Sequence, residues 1–171
     1  MTHIGLASGA TAVSSSGASG GSGVRLANSG HGVYFNASGY SELPEGRYIG
    51  FVRVRATSGD YVIFKHRIWN PTQAPSGYLN EENAWVFETV RTGDGWVYKG
   101  LVFDVDSDDA NDDVRHEVWM SGAFRVTGKQ GALDVDYFLH VPICRPSGDW
   151  PQDVSHNALR TFTLTPDIYE K

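Results

Sequence analysis

Cysteine is nearly absent: the 171 residues contain one, Cys144. No internal disulfide is possible, and a zinc site built on several thiolates is excluded. Pro142 and Pro146 flank this cysteine without a recognisable histidine partner, so it reads as an inert, half-buried thiol. Positive charge is also short. Fourteen Lys and Arg against 20 Asp and Glu give a formal charge of −6, and a nucleic-acid partner, which needs a basic footprint, is not expected. No run approaches the roughly 18 apolar residues of a membrane-crossing helix. The opening Met1-Thr-His-Ile-Gly5 has neither a basic nor an apolar stretch and does not read as a secretory signal.

Catalytic signatures are missing in the same way. The six histidines, at 3, 31, 66, 116, 140 and 156, never form H-E-x-x-H; His116-Glu117 runs on to Met120 where the second histidine belongs. Gly128-Lys129 lacks the rest of a phosphate loop. Gly17-Ala-Ser-Gly-Gly21 matches G-x-S-x-G, but a low-complexity run offers neither the strand before nor the helix after that a nucleophile elbow needs. Glycosidase chemistry needs two positioned carboxylates, and 20 acidic residues always permit such a pair on paper, so none is nominated. The chain is not expected to be an enzyme.

What is present is glycine, aromatics and alternation. Twenty glycines and seven prolines imply many turns, and 20% charged with 12% aromatic residues is a globular composition. At this length one domain is expected, with a core large enough to need no staples. Residues 7–23 are almost wholly Ala, Ser, Gly, Thr and Val, which fits either a flexible linker or an edge strand lying on a sandwich. From residue 47 the period is two. Val52 and Val54 alternate with Arg53 and Arg55, and Asp60–Trp69 forms a second strand after the Ser58-Gly59-Asp60 turn. Ala84–Val90 and Gly95–Val105 read as a hairpin across Thr92-Gly-Asp-Gly95. Glu117–Met120, Ala123–Val126 and Leu133–Val141 follow, the last with Leu133, Val135, Tyr137 and Leu139 on one face and Asp134, Asp136 and His140 on the other. The pattern predicts an all-β antiparallel sandwich of jelly-roll type. Its segments are a Gly/Ser-rich stretch at 1–23, the sandwich at 24–142 and a C-terminal extension at 143–171.

Three stretches carry a family likeness: Ala18-Ser-Gly-Gly-Ser-Gly-Val-Arg-Leu26 with Gly32-Val-Tyr-Phe35, Leu43–Ala56, and Gly131-Ala-Leu-Asp-Val-Asp-Tyr-Phe-Leu-His-Val-Pro142. Over roughly residues 8–142 they resemble the jelly-roll carbohydrate-binding modules of families 6 and 35. The resemblance implies a non-catalytic glycan binder. It also implies a structural calcium held by an acidic N-terminal strand and a closing-strand aspartate, here Asp136. The N-terminal acidic segment is replaced by Ile4-Gly-Leu-Ala7, so calcium is not expected at that position.

The long segment 70–83 lies between Trp69 and Trp85 with Tyr78 near its middle, and long structureless connections tend to be functional. Flat aromatic rings stack on the C–H faces of sugars while amides bond the hydroxyls. Trp69, Tyr78 and Trp85, with Asn80 and Asn83 (and Asn70 beside them), are therefore the candidate glycan site. Trp69 and Trp85 also read as ordinary core residues at strand ends. Asp104, Asp106 and Asp108 have the 1-3-5 spacing of a calcium loop, but Asp109 stands where glycine and Arg115 where glutamate would complete an EF-hand. The run 104–113 is either a solvated acidic turn or a calcium site.

The expected partners are a glycan and, within a larger assembly, copies of this chain or structural proteins. The expected location is extracellular or on a virion surface. The alternative reading is a virion structural protein, a tail or capsid-decoration component, that uses the sandwich for assembly.

Overall fold

Alternation of apolar and polar residues gives strands that bury one face each, and two such sheets close on one another. The computed structural model describes residues 4–36, 43, 46–70, 85–105, 114–122, 127–144 and 161–164. Their strands are β1 (Ile4–Leu6), β2 (Thr11–Ser14), β3 (Ser22–Leu26), β4 (Gly32–Asn36), β5 (Gly46–Ala56) and β6 (Tyr61–Trp69). They continue with β7 (Val86–Arg91), β8 (Val97–Val105), β9 (Arg115–Met120), β10 (Leu133–Cys144) and β11 (Thr161–Leu164). A five-stranded sheet runs β1-β4-β9-β6-β7 and a six-stranded sheet runs β11-β8-β5-β10-β3-β2. The pairings between strands are antiparallel, and the fold is a jelly-roll β-sandwich. Strands from both ends of the chain join the sheets: β1 in the five-stranded one, β2 and β11 at the edges of the other.

Two apolar clusters fill the space between the sheets. One gathers Leu26, Val33, Val52, Val54, Val62, Phe64, Val118 and Leu133; the other gathers Tyr48, Ile68, Leu101, Phe103, Val105 and Val114. Val52 and Val54 are fully buried, as their alternation with Arg53 and Arg55 requires.

Two sequence-based expectations fail. The Thr92–Gly95 turn does not close a hairpin, because β7 pairs with β6 in one sheet and β8 with β5 in the other. The chain crosses the sandwich there, and the turn residues are the same whether a strand folds back or changes layer. In β10 the expected faces hold only as far as Val135. The register moves from Val135↔Val54 to Phe138↔Val52, a bulge that sets Asp136 and Tyr137 together opposite Arg53. Beyond it Phe138 and His140 turn inward and Leu139 is exposed.

His140 thereby joins a row of three imidazoles, beside the fully buried His66 and His116 and itself half-buried. His116 stacks on His66 at 5.6 Å and on His140 at 5.7 Å. Nδ1 of His66 lies 3.4 Å from Nε2 of His116. Phe35, Phe103 and Phe138 surround the row. Desolvation dominates here, aided at His66 by the Lys99 charge and at His116 by its two neighbours. It pushes His66 down to about 3, His140 down to about 4 and His116 well below the usual range. Lys99 itself faces the core edge, paired with Glu88 at 3.0 Å.

All three rings are neutral in the folded protein, whereas in the unfolded chain they take up protons near pH 6.5. Stability is therefore full above pH 6.5 and falls as the pH drops toward 4, by about 1.4 kcal/mol per pH unit for each ring. Melting temperatures measured from pH 8 to 4.5 should be level above 7 and fall steeply below 6. His140→Leu should reduce that slope. A flat profile would show that the rings protonate without leaving the core.

Candidate functional site

Each sheet has an outer face, and the two are built differently. On the six-stranded sheet the Gly/Ser-rich segment is strapped across one end by buried carboxylates. Asp134, fully buried, accepts from Arg25 Nε at 2.7 Å, Arg25 Nη2 at 3.0 Å and Ser15 Oγ at 2.7 Å. Asp136 accepts from the Ser19 backbone N–H at 2.9 Å and from Arg53 Nη1 at 2.5 Å. Arg55 donates to the Ser16 carbonyl, and so does the indole of the buried Trp96. Arg53 and Arg55 lie over that indole at 5.0 and 4.7 Å. The hydroxyls of Tyr98 and Tyr137 bond to each other, and burial followed by that bond raises Tyr137 strongly. Residues 15–21 are thus fastened to this face. Arg25, Arg53 and Arg55 are each ion-paired with Asp134 or Asp136, although Nε of Arg53 and of Arg55 has no acceptor among the described residues.

The five-stranded sheet presents the opposite case. The register of β9 against β6 sets Lys65 across from Trp119, Arg67 from Glu117 and Trp69 from Arg115. Against β4 it sets Trp119 across from Gly32 and Glu117 from Tyr34. All of these face away from the core, because the alternate residues His66, Ile68, His116 and Val118 are fully buried. Trp69, Trp85, Trp119 and Tyr34 are half-buried, and Phe87 beside them is 55% exposed.

Two glycines let the rings lie close to the sheet. A Cβ on Gly32 would stand 2.4 Å from the Trp119 indole, and one on Gly5 would stand 2.2 Å from the Tyr34 ring. The aromatic rings take the space that side chains would fill. Cations alternate with them across the face. Lys65 Nζ lies 4.4 Å from the Trp85 centroid, and Arg67 sits at 4.2 Å from Trp85 and 4.3 Å from Trp69. Arg115 lies 5.8 Å from Trp69 and 4.7 Å from Tyr34. Arg67 also donates to Glu117 at 3.1 Å.

Of the residues singled out from sequence, Trp69 and Trp85 meet on this face, bridged by Arg67. Tyr78, Asn80 and Asn83 lie outside the described residues, as do Asp106 and Asp108. Asn70 is fully buried and does not offer its amide to a surface ligand. Asp104 accepts from Arg47 through both oxygens, at 2.6 and 2.7 Å. Among the described residues no cluster of three or more His, Cys, Asp or Glu side chains is arranged to hold a metal. Tyr34, Arg67, Arg115, Glu117 and Trp119 were not singled out. For all but Tyr34 the signal was the alternation in Lys65-His-Arg-Ile-Trp69 and Arg115-His-Glu-Val-Trp-Met120, where tryptophan occupies the face that water would normally claim.

No protein-family model and no curated protein sequence matches this chain. Solved structures do. The CBM22-2 xylan-binding domain of Paenibacillus barcinonensis Xyn10C matches with TM-score 0.56 and 13% identity, over 83% of this chain and 92% of that one. The CBM22-1 xylan-binding domain of the same protein matches with TM-score 0.50 and 11% identity, over 82% and 86%. The tandem CBM22-1-CBM22-2 structure matches with TM-score 0.56 and 11% identity, over 90% of this chain and 43% of that one. At such identities the likeness is one of fold: the chain shares its β-sandwich with these xylan-binding domains.

Asp136, in the position where the family resemblance places a calcium aspartate, accepts from Arg53 and from the Ser19 backbone N–H. Asp136→Asn should therefore act through the strap. Breaking a buried ion pair costs about 3–5 kcal/mol, and denaturant unfolding should show a loss of that order without added dependence on calcium. A loss below 1 kcal/mol would mean that the strap contributes little to folding.

Proposed function

We propose that this chain is a non-catalytic glycan-binding module that holds a polysaccharide along the outer face of its five-stranded sheet. The observation that carries the reading is the placement of Tyr34, Trp69, Trp85 and Trp119 on one continuous, half-exposed surface of a carbohydrate-binding-module fold. A soluble protein seldom leaves so much aromatic area at its surface without a ligand to cover it. Sugar rings match such a surface, since their C–H faces stack on the aromatics while guanidinium and carboxylate edges bond the hydroxyls. Tyr78, Asn80 and Asn83 belong to the connection between Trp69 and Trp85, and we retain them as contributors. A family 6/35 ancestry fits the sequence motifs, and the likeness to CBM22 domains supports the wider class.

Weak single-site binding becomes useful when several modules act on one surface, and we place this chain in a larger assembly for that reason. The alternative, a virion structural component, makes the sandwich an assembly surface. It predicts stable oligomers, and it is compatible with glycan binding by the same protein.

A glycan array followed by calorimetry tests the reading. Trp119→Ala and Trp69→Ala should each lose about 1–3 kcal/mol of binding while melting stays close to that of the parent. Gly32→Val should weaken binding in a similar way by lifting the Trp119 ring. Folded variants that bind every glycan as the parent does would remove this face from the site.

Calcium, as a structural ion, belongs in this account only at the 104–113 run. Chelation should lower the melting temperature if the ion is there. An unchanged value would leave the run a solvated acidic turn.

A further inference from the structure

The charges on the aromatic face do not follow the chain as a whole. The protein carries −6, yet among the described residues Lys65, Arg67, Arg91 and Arg115 face outward from the five-stranded sheet against the single carboxylate of Glu117. These cations are also held in place. Arg67 lies between the Trp69 and Trp85 rings, with Glu117 at its Nη2 at 3.0 Å, so Glu117 neutralises Arg67. Arg115 is supplied less well. Its Nη1 is 3.9 Å from Glu117, beyond hydrogen-bonding reach, and its buried Nε has no acceptor among the described residues. Tyr34 and Trp69 fix its plane, and 27% of its side chain is open to solvent.

Resting on the glycan-binding reading, we infer that the ligand of this face is an acidic polysaccharide, one of whose carboxylate or sulfate groups is taken by Arg115, with Lys65 four residues further along the face. A planar guanidinium already fixed by stacking is suited to a bidentate anion, and little side-chain freedom remains to be lost when the anion arrives. A neutral glycan covering the same face would strip water from Arg115 and return only hydroxyl contacts. Negative charges more than about 8–10 Å away are largely screened at physiological salt, which leaves Asp112 and Asp113, three and two residues before Arg115 in the sequence, as the carboxylates that compete with a ligand for that arginine.

The test uses matched pairs on the full chain. Polygalacturonate, alginate and hyaluronan are each compared with their carboxyl-reduced neutral forms, and a sulfated glycan is run beside them, in 50 and 500 mM NaCl. At least one acidic polymer should bind 10-fold or more tighter than its reduced form, and the preference should shrink severalfold at high salt. Arg115→Gln should abolish the preference by lowering affinity for the acidic polymer far more than for its reduced form, and Arg115→Lys should restore part of it. Near-UV circular dichroism and melting confirm that the variants are folded. Equal binding to carboxylated and sulfated polymers assigns the site to anionic groups in general; carboxylates alone assign it to uronic acids.

Equal affinity for acidic and reduced forms would overturn the inference and leave the glycan reading standing. So would a preference that survives Arg115→Gln, as it must if the acidic run before β9 already serves that arginine. Binding to no glycan of either kind would remove both readings.

Discussion

The register of β9 between β4 and β6 is the constraint on which the candidate site depends. Side chains alternate along a strand, so a slip of one residue would exchange the two faces completely. Arg115, Glu117 and Trp119 would then enter the core, and His116, Val118 and Met120 would meet water. The fully buried His116 and Val118 prevent this, as do Ile68 and Phe64 on the neighbouring strand. The packed interior therefore determines the order of the exposed face: Lys65 beside Trp119, Arg67 beside Glu117, Trp69 beside Arg115. Core packing and the candidate binding surface are two sides of one pairing.

The two outer faces show how similar chemistry serves different ends. Both combine arginines with aromatic rings. On the six-stranded sheet the arginines meet buried aspartates that also receive Ser15 and the Ser19 backbone, and the result fastens an otherwise low-complexity segment. On the five-stranded sheet Glu117 is the only outward carboxylate among the described residues, and it pairs with Arg67 while Arg115 lies 3.9 Å from it. The difference lies in how many carboxylates each face supplies among the described residues.

Much of the architecture was legible in the alternation of residues. The strands now seen as β5, β6, β8 and β9 were read near their true positions because apolar residues recur at every second place. The crossing at Thr92–Gly95 was not legible, since the turn does not encode which sheet comes next. Nor was the β10 bulge, whose extra residue reverses a pattern that looks regular as far as Leu139. At the site, Trp69 and Trp85 were legible as aromatics flanking a long connection. Arg67, Arg115, Glu117 and Trp119 became meaningful only once β6 and β9 were known to be neighbours, since strands 50 residues apart in sequence bring Arg67 to Glu117. The strap was hidden for a similar reason: its aspartates lie 119 and 117 residues from the serines they hold.

The central claim is that the five-stranded sheet, and not its partner, is the binding face. Indole N–H resonances of the five tryptophans report on this directly, because Trp69, Trp85 and Trp119 lie on one face and Trp96 beneath the strap on the other. Titration with a bound glycan, followed by heteronuclear NMR with each indole assigned by substitution, should shift Trp69, Trp85 and Trp119 while Trp96 stays in place. Shifts confined to Trp96, with the other three unmoved, would contradict the account.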